Sequence, residues 1–275
     1  MTRDEQLEWE ARWSRPVAIA AVAAALLTLI SVPLFLPENR KGIDATADYL
    51  LSIHENTGAY VASTVVGALA ALCLIAVFLF LFRGVTARGA GVPNWFVYLV
   101  FGAPVAYAIS RVGYGLDVVD GSDEFAASGP IRGDAGDDRA RDLLDASPGI
   151  GGLQIAGTVG VAFLYVMLPL RARRVGLMSP FMGVLGAIAG ALMVIPLAGV
   201  SPVIQAFWLG ALALLLFDRW PGGRGPAWET GEADPWPSAA QRARELEPPP
   251  AAEPPPEPEA IPERPASRKR RKKRR

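Results

Sequence analysis

Between residues 16 and 217 the chain alternates long apolar runs with short polar stretches. The first run, PVAIAAVAAALLTLISVPLFL, extends from Pro16 to Leu36 without a charge. Others run from Ala59 to Phe82, Trp95 to about Tyr114, Gly149 to Leu170, Pro180 to Val200 and Pro202 to Phe217. The first five are about 20 residues or longer, enough for a helix to cross ~30 Å of hydrocarbon. The sixth is short, about 16 residues, and spans only with local thinning of the bilayer or with Asp218 and Arg219 snorkelling outward. The pattern predicts an all-α fold: a six-transmembrane-helix bundle over 16–217. A juxtamembrane segment, 1–15, precedes it and a tail, 218–275, follows.

Composition agrees. The mean hydropathy is +0.27 even though the last quarter is strongly polar, so the remainder is more apolar than a soluble domain of this size. Charge then orients the bundle. Six spans place the N-terminus, loops 83–94 and 171–179 and the tail on one side, with 21 Lys and Arg; loops 37–58 and 115–148 carry 5. The positive-inside rule makes both termini cytoplasmic. A cleaved signal peptide is the rival for the first run, but that run is too long and no A-x-A site follows it. Trp9 and Trp13 fit the interfacial anchor of a retained helix. Arg outnumbers Lys 23 to 4 in an Ala-, Gly- and Pro-rich chain, which suggests a high-GC bacterium and its cytoplasmic membrane.

The stretch RVGYGLD, 111–117, contains the Val-Gly-Tyr-Gly core of a potassium filter, whose carbonyls replace an ion's hydration shell. A filter needs a re-entrant segment, which would invert every later span and put the tail cations outside, against the charge rule. Arg111 also stands where a filter has threonine and would repel a cation. The stretch reads instead as the outer end of the third span, with Arg111 reaching headgroups, Asp117 or Asp120, and Tyr114 in the aromatic belt.

Ionisable residues inside a span are functional by default. Arg111 is the one such residue in the apolar runs, so the mid-membrane carboxylates of ion-driven pumps are missing. Gln154 and Gln205 lie at a similar expected depth, and with Arg111 they could line an outward-facing polar pocket; interhelical hydrogen bonding is the simpler reading. Cys73, the single cysteine, reads as a packing residue, and no pattern of metal ligands or cofactor binding is present. Small residues recur every four positions, as in Ser63, Gly67 and Ala71, in Gly102, Ala106 and Ser110, in Gly152, Ala156 and Gly160, and in Gly186 with Gly190. Helices can approach closely along such stripes. Pro33, Pro104 and Pro196 predict bends.

Ala45 to His54 predicts a short amphipathic helix on the outer surface, with Tyr49, Leu50 and Ile53 toward lipid. His54, the only histidine, has no sequence-evident catalytic partner. Loop 115–148, with 9 Asp and Glu, reads as solvated, with a turn or two of helix in DDRARDLLDAS; its spacing does not match a calcium loop. From Pro221 the chain holds 13 of its 24 prolines and ends in eight consecutive cations, Arg268, Lys269, Arg270, Arg271, Lys272, Lys273, Arg274 and Arg275. Such a composition predicts a disordered, polyproline-like tether with a basic hook for the anionic inner leaflet. A protein partner is an alternative; nucleic acid is a weaker one, because no aromatics are interleaved to stack bases.

The amphipathic segment before the second span, the basic exit LFLFRGVTARG and the segment LYVMLPLRARRVGLMSPFMGVLGAIAG resemble a family of six-span bacterial membrane proteins, a domain of unknown function. The resemblance covers roughly 16–217 and implies the six-span fold but no activity. Function therefore rests on the residues. The first expectation is a non-enzymatic protein that organises partners or lipid through its polybasic tail. The alternative is a small-solute facilitator or transporter using the Arg111, Gln154 and Gln205 pocket.

Overall fold

In hydrocarbon a backbone N–H or C=O finds no water, so an apolar run must satisfy both within itself, as a helix does. The computed structural model describes residues 2–35, 46–144, 148–195, 200–221 and 223–236, and it is all-helical there. The helices are α1 (Arg3–Phe35), α2 (Thr46–Glu55), α3 (Thr57–Ala87), α4 (Phe96–Ala127), α5 (Gly133–Leu144), α6 (Pro148–Arg174), α7 (Pro180–Val194), α8 (Val200–Leu216) and α9 (Ala227–Thr230). Four of them are long and apolar enough to cross a membrane, within Arg3–Val32, Thr57–Ala87, Phe96–Ala127 and Pro148–Arg174. Helices α7 and α8 are apolar but shorter, at 15 and 17 residues.

The long helices form a closed circuit: α1 packs on α3 and α8, α3 on α4, α4 on α6, α6 on α7 and α7 on α8. Across it, α3 touches α6. Phe78, Tyr165 and Trp208 fill the middle, with the Tyr165 ring edge-on to both others at 5.1 and 5.2 Å between centroids. Helices in lipid gain little from the hydrophobic effect, so close packing must hold them. Glycine supplies it at the α6–α7 seam, where a Cβ on Gly186 would stand 2.6 Å from Pro169 and one on Gly190 would stand 2.5 Å from the Ala162 carbonyl oxygen. The α4–α6 seam uses Gly157 and Gly160, against Tyr107 and Ala103. Gly152 and Ala156 of the expected stripe are exposed. Pro104 and Pro169 sit inside continuous helices, α1 runs through Pro33, and Pro196 lies outside the described residues.

Two elements differ from expectation. Helix α4 does not stop near Tyr114 but continues to Ala127, and with α2 and α5 it builds a helical cap. Its buried face, Val118 and Phe125, meets Leu50 and Ile53 of α2 and Ala140 of α5, so Leu50 and Ile53 face protein rather than lipid. Arg139 on α5 ties the corner by donating to the carbonyls of Phe125 (3.1 Å) and Glu124 (2.9 Å). At the opposite end, residues 223–236 pack on the bundle instead of beginning a free tail. Ala227 is fully buried, and the indoles of Trp228 and Trp236 donate to the Leu177 and Gly176 carbonyls at 3.0 and 2.9 Å. The compact unit thus extends to Trp236. The basic run 268–275 lies outside the described residues.

The second end is held by a buried ion pair. Arg88, at the C-cap of α3, donates through Nη1 and Nη2 to Glu10 Oε1 (2.6 Å) and Oε2 (3.0 Å) on α1. The same guanidinium donates to the carbonyls of Gly84 (3.0 Å) and Ala227 (2.7 Å), and Gln6 Nε2 donates to Glu10 Oε1 (2.8 Å). Both charged side chains are at most 3% exposed. Gly84 leaves room for the carboxylate, which would lie 3.4 Å from a Cβ at that position. Removing one partner of such a pair strands the other, at roughly 3–5 kcal/mol, whereas replacing both by apolar residues is far milder. Thermal unfolding in neutral detergent should therefore show a large loss for Arg88→Met and a much smaller one for the Glu10→Met/Arg88→Met double variant. Losses that simply add would contradict the coupling.

Candidate functional site

Charge divides the bundle into a basic end, carrying Arg83, Arg88, Arg171, Arg173 and Arg174, and an acidic end formed by α2, α5 and the last turns of α4. Position along the helices places Arg111 between them. Sixteen residues separate Trp95 from Arg111 on α4, and sixteen separate Gly67 from Arg83 on α3. At 1.5 Å per residue, both paths put the Arg111 guanidinium about 24 Å from the basic end. It lies inside the apolar part of the bundle, toward the acidic end.

The site is a stripe. Tyr107, Arg111 and Tyr114 are spaced four and three residues apart, so they share one face of α4. That face is the inner one, because Val105, Ile109 and Leu116 occupy the exposed side. Nη1 of Arg111 reaches the Tyr107 hydroxyl at 3.5 Å, the outer limit of a hydrogen bond, with the guanidinium 6.0 Å from the Tyr107 ring centroid. The other face of the guanidinium rests on Gly67 of α3: a Cβ there would stand 2.8 Å from Nε and Nη2. Nε is buried and has no hydrogen-bond partner among the described residues. Gly113 and Gly115, inside the helix, make room for Ile150 and Thr64.

Toward the acidic end the stripe meets the cap. Tyr60 of α3 and Tyr49 of α2 share a hydrogen bond, and Tyr114 lies close to both. Burial pushes the Tyr49 hydroxyl well above its ordinary range, and its neighbours Tyr60 and Tyr114 add to the effect. His54 Nδ1 lies 2.7 Å from Asp123 Oδ1 on the exposed rim, joining α2 to α4. Asp137 Oδ1 accepts the Ala47 amide at the start of α2, at 2.9 Å, where a carboxylate favours a helix N-terminus.

Of the three residues expected to line a pocket, Arg111 and Gln154 are carried by α4 and α6, which pack together. Gln205 is on α8, which packs on α1 and α7, and its Nε2 donates to Ser201 Oγ (2.9 Å) on its own helix. The tyrosines were the part missed. Their signal is the four-three spacing of Tyr107, Arg111 and Tyr114, which stands out only when α4 runs on past Tyr114. Cys73 is half-buried, and no group of three or more His, Cys, Asp or Glu among the described residues is placed to hold a metal.

No family model, curated protein or solved structure matches this chain. The resemblance to six-span bacterial proteins rests on the quoted segments alone.

Tyr49 gives the cap a defined alkaline response. Its hydroxyl resists ionisation when folded, so its contribution to stability is complete below the unfolded value of about 10 and declines as pH rises above it. Melting temperatures measured from pH 9 to pH 11 should fall for the native chain. Tyr49→Phe should show a shallower fall, and an unchanged slope would remove Tyr49 from the cause.

Proposed function

We propose that this is a multi-pass protein of the bacterial cytoplasmic membrane, non-enzymatic, that organises lipid or protein partners through its polybasic tail. In this reading both termini are cytoplasmic, and the basic end of the bundle is the inner end. The two short helices complete six spans by thinning the bilayer around them. Orientation does not hinge on that point. Helix α7 starts beside the Arg171–Arg174 turn, and α8 ends where Arg224 caps its carbonyls, so the chain returns to the basic end whether or not the hairpin crosses fully.

The observation that carries the reading is the anchoring of residues 223–236. Arg88 on Ala227, Trp228 on Leu177 and Trp236 on Gly176 fix the root of the tail among the arginines of the basic end. A tether leaving from there starts at the leaflet surface. Its composition, rich in Pro and Glu, favours an extended linker, and each of the eight terminal cations contributes about 1 kcal/mol beside an anionic leaflet before screening. That attraction falls with salt.

The test uses a solvent-sensitive fluorophore on Ala240→Cys in a Cys73→Ser background, with and without truncation after Ala266. In vesicles containing phosphatidylglycerol the intact chain should show docking that fades as salt rises, and the truncated chain should not. Identical signals from both, or docking on phosphatidylcholine alone, would refute lipid binding by the tail.

A further inference from the structure

A guanidinium cannot escape an apolar site by losing its proton, so its N–H groups must find acceptors or remain unsatisfied. Among the described residues, Arg88 and Arg111 meet that demand to different degrees. Arg88 spends its two terminal nitrogens on a bidentate carboxylate and two carbonyls, leaving only its own buried Nε without a partner among the described residues. Arg111 stands about 24 Å from the basic end, with Nη1 at 3.5 Å from a phenol and Nε, like that of Arg88, buried without a partner among the described residues. Its seat is built rather than incidental. Gly67 lets the guanidinium lie flat on α3; a Cβ there would stand 2.8 Å from Nε and Nη2 and push the end of the arginine aside. The hydroxyl of Tyr107 accepts from Nη1 at 3.5 Å, Tyr60 is close enough to feel the charge of the guanidinium, and Tyr114 packs with Tyr60 in the cap cluster. An oriented guanidinium flanked by phenol donors is the chemistry that recognises an oxyanion.

We propose that Arg111, Tyr107 and Tyr60 form a binding site for a phosphate or carboxylate group entering from the acidic end of the bundle, beneath α2. The group accepts from the terminal nitrogens of the guanidinium, of which Nη1 has only the 3.5 Å contact with Tyr107, and from the two phenols. Tyr49, hydrogen-bonded to Tyr60 from α2, ties the cap to the mouth of the site. The site is independent of the tail. Two sources offer the same chemistry: a small soluble anion, and the headgroup of an anionic lipid in the leaflet at that end.

The test measures melting of the full-length protein and three full-length variants, Arg111→Gln, Tyr107→Phe and Gly67→Ala. One arm adds inorganic phosphate in neutral detergent against chloride at equal ionic strength; the other compares vesicles of phosphatidylcholine with and without phosphatidylglycerol. Because every chain keeps its polybasic run, only differences from the native chain report on Arg111. The native protein should be stabilised in at least one arm, phosphate alone identifying a soluble anion and phosphatidylglycerol alone a lipid headgroup. Arg111→Gln should lose that stabilisation, with affinity down roughly tenfold or more, and should melt no lower than the native chain without ligand, since it removes an unsatisfied charge. Tyr107→Phe, which preserves shape, should weaken the response severalfold, and Gly67→Ala should weaken it by displacing the guanidinium. Equal responses from the native chain and Arg111→Gln, or no response in either arm, would overturn the proposal. So would an Arg111→Gln protein that melts lower without ligand, since the arginine would then be a structural strut.

Discussion

The contact on which the arrangement of the bundle depends is the buried pair between Glu10 and Arg88. It joins the first helix of the circuit to the second and, through the Ala227 carbonyl, to the segment that follows the last. Within lipid, apolar faces do not sort helices by themselves, because tails and leucines are equally apolar. A bidentate ion pair with one geometry does sort them: it fixes the register of α1 against α3. Around it the aromatic rings stack in sequence, Trp9 on Phe80 and Phe80 on Trp228, at 5.3 and 6.1 Å between centroids. Arg83 and Arg224 cover the outer rings of that stack. The basic end is therefore a locked end.

The acidic end is assembled on another plan. Its helices are short and amphipathic, and their apolar faces meet only because α4 continues far enough to receive them. The ties there are exposed or half-exposed hydrogen bonds, such as His54 with Asp123 and Arg139 with the end of α4, which are worth less than buried ones and break more readily. A locked base and a lighter cap are consistent with the proposed roles, tail anchoring at one end and anion binding at the other. Arg111 lies at the junction of the two regions, supported by glycine on one side and phenol on the other.

Much of this was legible in the sequence, and the omissions share one cause. Apolar run length found the helices, and the amphipathic pattern at 45–54 found α2. Charge counting separated the two ends. What it could not find were helices whose partners are protein rather than lipid. Asp117, Asp120, Asp123 and Glu124 made the end of α4 read as a loop, although Val118 and Phe125 keep one face of it apolar. Residues 223–236 read as tail because proline and glycine suppress any periodic pattern. Trp228 and Trp236 were the trace of their packing, since a solvated tether has no use for two indoles hydrogen-bonded to the bundle. Arg88 entered only as one of the cations of loop 83–94, and nothing in the pattern singled out Glu10. Their partnership depends on α1 and α3 lying side by side, which no local pattern encodes.

In the proposed orientation the locked basic end faces the cytoplasm and the capped acidic end faces out. The most direct measurement is labelling with a membrane-impermeant maleimide in intact bacterial spheroplasts. Two single-cysteine chains in a Cys73→Ser background carry Ser128→Cys, exposed at the end of α4, or Ser238→Cys, just past the anchored segment. Labelling of residue 128 in intact spheroplasts, and of residue 238 only after permeabilisation, is the predicted result. The reverse pattern, or labelling of both before permeabilisation, would contradict it.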